Sequence, residues 1–372
     1  MRVLTIKNGE ITDQGGINKT IREVNSNLAE RGHDCTVITT NTSSLPSTET
    51  YQGFQIIRLS PEWEGKLYGI NWGAYQYLKK HIRHLDPEVI HVHGYHGLFS
   101  PMVMRMIKKQ HPDIPQIFSP HFGVFSHATL MGKYLWGTYN RLLGRSIMKI
   151  PDLVITASQF EAHNLEEILE VPPQRMRIIP HGINHHNFNP KKGNDGTLNL
   201  LYVGYLLELK GVHHIIQALP YLARQDLDFS LRIVGEGPYP AELKKLARKL
   251  EVDQYIQWED FIREEDRLLE YYRNSDVFLL LSQSENYGIV VTEALAMGTP
   301  SIVTNRTALK EFVPEPGCFG VDFPPDPEEV ARLILDIHQD PVRVGPFSNK
   351  IRTWKQVSGD YEEIYTDLGG GS

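Results

Sequence analysis

Short runs of β-branched and other apolar residues alternate along this chain with longer stretches in which apolar positions recur every three to four residues. The runs read as strands buried on both faces, and the periodic stretches as helices that cover them. That alternation predicts parallel sheets with crossover helices, an α/β architecture. In the first half, strands are expected at Val3–Lys7, Cys35–Thr39, Val89–His93, Gln116–Ser119 and Leu153–Ala157, with helical patterns near 16–31, 72–85, 98–109, 133–149 and 159–169. A second series follows His181-Gly182, with strands at Leu198–Val203, Ser230–Val234, Tyr255–Trp258, Val277–Leu281 and Ser301–Val303. Residues 184–196, rich in Asn, Pro, Lys and Gly, read as a linker between domains at 1–183 and 197–345. After a break at Pro346, the helical pattern Ile351–Leu368 is expected to cross back onto the first domain, making 346–368 a crossover segment and 369–372 a flexible tail. Two doubly wound domains in tandem imply a cleft between them, with ligands at the carboxyl ends of the strands.

Composition narrows this picture. At 372 residues, 41% apolar and 22% charged, the chain can form two folded domains without covalent staples. Only Cys35 and Cys318 are present, so there is no disulfide framework and a reducing compartment fits. The first apolar run is too short for a signal peptide, and no window approaches the roughly 18 to 20 apolar residues of a membrane span. The expectation is a cytoplasmic protein whose membrane contact, if any, is peripheral and on the inner face. The net charge of −7 is uneven: residues 1–185 hold 19 Lys and Arg against 16 Asp and Glu, and the remainder 19 against 29. Nothing is basic enough for a nucleic-acid partner.

The stretch richest in chemistry runs from Ser282 to Pro300, after the apolar strand Val277–Leu281. A helix should open near Gly288 and end at Gly298-Thr299-Pro300. A helix opening at a strand end aims free backbone N–H groups at whatever lies beyond the sheet, which suits a diphosphate. Gly288 has no Cβ and permits close approach. Glu285, before the helix, is placed to hold sugar hydroxyls, and Glu293, within it, to accept from two ribose hydroxyls. Taken alone, Glu285 reads rather as a charge favoured by the helix dipole, and Glu293 as a solvated helix residue; the surrounding pattern tips the balance to the chemical reading.

Glu285 and Glu293, continued by Glu-Ala-Leu-Ala-Met-Gly-Thr-Pro, resemble the E-x7-E motif of retaining glycosyltransferases with the GT-B fold, those of glycosyltransferase family 4. The resemblance runs nearly end to end. Leu200–Gly211 and Leu231–Pro238 are similar to the first two signature strands and loops of that family's donor domain, and Trp354, Tyr361 and Tyr365 to aromatics of its crossing helix. Gly15-Gly16-Ile17 resembles its glycine-rich turn on the acceptor side, and His91, His93, Gly94 and His121 also match. The resemblance implies two Rossmann-like domains, a UDP-, GDP- or ADP-sugar donor, no cofactor or metal, and transfer of a hexose with retention to a hydroxyl of a lipid, glycan or small molecule. It implies catalytic roles for His121, Lys210 and Glu285. It implies donor contacts from Gly16, Tyr205, Lys210, Gly235, Glu285, Gly288, Ile289 and Glu293, and an acceptor side at Gly15, His93 and His96. One position departs: the family usually has Arg after the glycine of the first donor strand, and this chain has Tyr205. Tyr carries no charge, so neutralising the phosphates falls to Lys210. A nucleotide-sugar epimerase or hydrolase of the same fold, or a catalytically weak binding subunit, is the rival reading.

Other signals are weaker. Asp226-Leu227-Asp228 spells D-x-D but reads as a solvated loop. His91, His93 and His96 lack the acid or Cys that would complete a metal shell. Trp258, Phe261 and Ile262 read either as core or as neighbours of a nucleotide base. The basic stretch Leu78–Leu85, accompanied by Trp63, Tyr68, Trp72, Tyr75 and Tyr77, reads as a helix resting on an anionic membrane or as a half-buried helix with a solvated cationic face.

Overall fold

A computed structural model describes all residues except 13–14, 42–44, 61–70, 124–129, 185–195, 263, 343, 346–350 and 371–372, and only the backbone of 130–133 and 135. The chain divides into two compact units, the first made of Met1–Gly182 with Arg352–Ser372 and the second of Ile183–Ile351.

The first unit is an eight-stranded sheet: β1 (Arg2–Lys7), β2 (Asp34–Thr40), β3 (Thr48–Tyr51), β4 (Phe54–Leu59), β5 (Val89–His93), β6 (Gln116–Ser119), β7 (Leu153–Thr156) and β8 (Met176–Ile178). Their order is β3-β4-β2-β1-β5-β6-β7-β8, parallel except for the β3–β4 pair. β5, β6 and β7 are buried along their whole length, the doubly covered condition that their continuous apolar runs predict. The helices are α1 (Gly16–Glu30), α2 (Trp72–Leu85), α3 (Phe99–Gln110), α4 (Leu130–Tyr139), α5 (Arg145–Ile147) and α6 (Gln159–Leu169). The helix expected over 133–149 is three pieces, because a π-helical turn at Asn140–Gly144 separates α4 from α5.

The second unit is a six-stranded parallel sheet of β9 (Leu198–Val203), β10 (Phe229–Val234), β11 (Ile256–Glu259), β12 (Val277–Leu280), β13 (Ser301–Thr304) and β14 (Cys318–Val321), in the order β11-β10-β9-β12-β13-β14. Its helices are α7 (Val212–Leu222), α8 (Pro240–Lys249), α9 (Glu265–Arg273), α10 (Ile289–Ala296) and α11 (Pro327–Gln339). The expected linker and the break at Pro346 lie almost wholly outside the described residues.

The last helix, α12 (Trp354–Gly369), belongs to the first unit and packs on α1. It starts later than the expected Ile351 because Thr353 and Gln356 form a reciprocal capping box, and it runs on through Gly369, so the tail is shorter than expected. Trp354 lies against Gly182, where an added Cβ would come within 2.7 Å of the Trp354 nitrogen. Arg31 and His33 both pair with Glu362, His33 Nε2 at 2.8 Å, fixing the helix to α1 and β2.

Candidate active site

In each sheet the strand order reverses beside the first strand of the unit, between β1 and β5 and between β9 and β12. Loops leaving neighbouring strands diverge at such points and open a crevice. Of the expected donor-side residues of the second unit, Lys210, Glu285, Gly288 and Ile289 gather at the second of them.

Lys210 and Glu285 are 75 positions apart, yet Lys210 Nζ donates to Glu285 Oε1 at 2.6 Å. Pairing of β9 with β12 makes this possible, because the loop after each strand begins at the same end of the sheet. Gln283 N donates to Leu209 O at 2.8 Å, which ties the two loops together. Ser282 Oγ donates to the same Glu285 oxygen at 3.1 Å, and Glu285 N donates to Thr307 Oγ1 at 3.2 Å. The pair is half-buried, so water screens it less than a surface ion pair.

Helix α10 begins immediately beyond. Gly288 is its N-cap at φ 102°, and Ile289 is its first residue. A Cβ on Gly288 would lie 2.7 Å from Leu309 Cδ2, so both backbone conformation and space favour glycine. Glu293 is not the solvated residue of the alternative reading. It is buried, and its Oε2 accepts from Tyr272 Oη at 3.0 Å. Burial and that carboxylate push the Tyr272 phenol well above its usual range, so the hydroxyl stays a donor to Glu293. Tyr272 carries no motif and was not expected; only its place on α9, beside α10, brings it in.

Tyr205, just past β9, has a side chain 52% exposed. Gly235 meets the loop after β9 so closely that a Cβ there would lie 1.9 Å from Gly204 O. It also lines a cavity of about 530 Å³ with Leu206, Lys244, Trp258, Phe261 and Arg267. Trp258, Phe261 and Ile262 therefore face open space, although Ile262 is also buried. Lys244 Nζ sits 5.3 Å from the centre of the Trp258 ring.

In the first unit, the crevice between β1 and β5 holds a cavity of about 190 Å³ whose lining includes Lys7, Ile17, His93, His96 and His121. Gly15 caps α1, and Gly16 opens it. His93 Nδ1 and His121 Nε2 are 3.1 Å apart with stacked rings. Burial holds both imidazoles well below their ordinary pKa, so they are neutral and one must donate to the other. His121 has φ 50°, and the next N–H, of Phe122, donates to the buried Glu161 carboxylate at 2.7 Å. His91 serves structure: its ring bridges Tyr365 Oη of α12 at 2.6 Å and Ser119 Oγ at 2.8 Å. His96 faces the cavity but stacks on Trp136 with ring centres 5.3 Å apart. Asp226 and Asp228 are exposed in a loop. Among the described residues no three His, Cys, Asp or Glu group as a metal site.

Residues 14–187 match the family described as Glycosyltransferase Family 4, and residues 185–354 that described as Glycosyl transferases group 1. A glycogen synthase of Mycobacterium tuberculosis is 27% identical over 382 residues, covering 95% of this chain and 89% of the relative. Among solved structures, a sucrose-phosphate synthase from Thermosynechococcus elongatus superposes with a TM-score of 0.81 at 21% identity, over 100% of this chain and 99% of that one. The Anabaena protein HepE, solved with UDP and glucose, superposes with a TM-score of 0.69 at 15% identity, over 99% of this chain and 95% of HepE. Two sheets of this topology, with family matches that between them span residues 14 to 354, make this chain a GT-B glycosyltransferase of family 4.

Proposed function

We propose that the protein transfers a hexose from a nucleoside diphosphate sugar to an acceptor hydroxyl with retention of configuration, without a metal. The observation that carries this reading is the convergence of Lys210, Glu285 and the start of α10 at one crevice, with Glu293 buried one turn further along. In the proposed step the bond from the sugar C1 to the diphosphate oxygen breaks, and its electron pair leaves on the diphosphate. The acceptor oxygen bonds to C1 from the same face, and its proton passes to a departing phosphate oxygen. Lys210 and the amides of Gly288 and Ile289 stabilise the charge that grows there. Glu285 exchanges its hold on Lys210 for hydroxyls of the sugar, and Glu293 keeps the ribose. Gly235 and the aromatic cavity beside it receive the nucleotide. The family resemblance assigns His121 to the transferred sugar, Gly16 to the phosphates, and Gly15, His93 and His96 to the acceptor side. Neutral imidazoles suit those roles, because each offers a donor and an acceptor without a competing charge.

Calorimetric titration with UDP, GDP and ADP in chelator tests the reading. One nucleotide is expected to bind, and Glu293→Gln, which keeps an oxygen for Tyr272 but removes the charge, should weaken it about tenfold. NMR of the product made from the matching sugar nucleotide should show the donor's anomeric configuration. If no nucleotide bound without metal, the metal-free reading would fail; an inverted product would exclude the same-face step.

A further inference from the structure

Helices α2, α3 and the run from α4 through α5 bury their inner sides in one apolar cluster that includes Leu78, Met104 and Ile147. Their outer sides form a single layer on one face of the sheet, because each connects to its next strand in the same direction across the sheet order. Each of the three contributes three Lys or Arg and no Asp or Glu, in a chain with 45 acidic residues against 38 basic ones. Lys79, Lys80, Arg83, Arg105, Lys109 and Arg141 are exposed. Asp152 and Glu170 pair with Lys108 and Arg145 of the layer, both at 2.7 Å. At its margin Asp86, the C-cap of α2, pairs with Arg2 at 3.0 Å, and Asp113 beyond α3 is exposed. On the far side the layer ends at α6, which carries Glu166 and Glu167 and no Lys or Arg.

Cations near helix C-termini complement the helix dipole, and that alone would account for some of them. It does not account for the apolar groups among them. Trp72 is 49% exposed, Tyr134 75%, Leu142 69% and Leu143 43%, and these are four of the six large hydrophobics exposed among the described residues. The π-helical turn presents Arg141, Leu142 and Leu143 together. It is held from within, where Tyr95 Oη donates to Asn140 Oδ1 at 2.8 Å and a Cβ on Gly144 would lie 2.2 Å from Tyr95 Oη.

We propose that this layer docks on an anionic bilayer surface, with the cations on lipid phosphates and Trp72, Tyr134, Leu142 and Leu143 reaching the acyl boundary. The charge pattern selects an anionic partner. The exposed leucines and aromatics select one with an apolar interior, which a nucleic acid lacks. Docking would hold the chain at a membrane whatever the donor nucleotide is, so it stands apart from the transfer reaction.

The test is flotation of the full chain with vesicles of phosphatidylcholine carrying roughly one third phosphatidylglycerol, with pure phosphatidylcholine as control. Wild type should float only with the anionic vesicles. Lys79→Gln/Lys80→Gln/Arg83→Gln should weaken binding about 100-fold, at about fivefold for each charge near the surface. Leu142→Ser/Leu143→Ser, which leaves every charge in place, should weaken it about tenfold or more and lower the fraction retained in high salt. Unchanged circular dichroism and melting of both variants would show that they remain folded. Absence of flotation at low salt overturns the proposal. So does a double-Ser variant that binds the vesicles as wild type does, since that would leave a general polyanion patch, which equal binding to a DNA duplex would identify.

Discussion

Lys210 and Glu285 hold each other at 2.6 Å, with Ser282 also donating to the carboxylate. A diphosphate arriving at Lys210 must compete with that carboxylate, so part of its charge-pairing free energy goes to parting an existing ion pair. A second cation would relieve this, and where the family usually has Arg this chain has Tyr205, whose exposed side chain leaves room for a longer one. Lys244 and Arg267 line the neighbouring cavity, and Arg267 already lies 3.8 Å from Glu259. Tyr205→Arg is therefore expected to tighten binding of the cognate nucleoside diphosphate about tenfold, the yield of one hydrogen bond to a charged group. Titration calorimetry reads the change, and the nucleoside without phosphates should gain nothing. Equal gains for nucleoside and diphosphate would place Tyr205 away from the phosphates.

At the scale of elements, α10 is the part whose geometry the proposed chemistry needs, and its start rests on Gly288. Alanine at φ 102° is strained, and its Cβ would press on Leu309 Cδ2, a side-chain end that can give way. Gly288→Ala is expected to cost about 1–3 kcal/mol from the backbone alone. It should lower the melting temperature and weaken nucleotide binding together; a loss of stability with unchanged binding would mean that the amides of α10 do not meet the ligand. The parallel strands were legible in the sequence because strands covered on both faces are continuous apolar runs, and Val89–His93 and Gln116–Ser119 appear as expected. The β3–β4 hairpin was not, since Thr48–Tyr51 is a polar edge strand of four residues. Its turn at Gln52-Gly53, with φ 44° and 89°, was the one available signal. The π-helical turn left no trace in the periodicity. The Glu285–Glu293 spacing was readable because both lie in one segment. The bond from Tyr272 to Glu293 was not, because it depends on how α9 packs on α10.

Across the whole molecule, the buried histidines are divided unequally, and acid stability should follow that division. The first unit buries His91, whose pKa is pushed down to about 3, and His181, pushed down to about 4. His93 and His121, held well below the ordinary value by burial and by neighbouring histidines and Lys7, belong to the same unit. The second unit has His213 and His214, only partly buried and also lowered. A histidine lowered by folding stays neutral in the native state while the unfolded chain takes up a proton below about pH 6.5, so stability falls as pH drops through that value. Glu161 works the other way: burial raises its carboxyl to about 7, so the native state binds a proton that the unfolded chain releases, and acidification helps it. The four histidines together outweigh Glu161 and leave a loss on the order of a few kcal/mol for the first unit between about pH 7.5 and 5.5. For a unit of this size that corresponds to a fall of about 10 °C in its melting transition. Calorimetry at the two pH values should show one transition falling by about that much and the other by less. The nucleotide that binds in the titration should raise the less sensitive transition, marking it as the second unit. Equal shifts of both transitions would mean that the buried histidines of the first unit do not govern its response to acid.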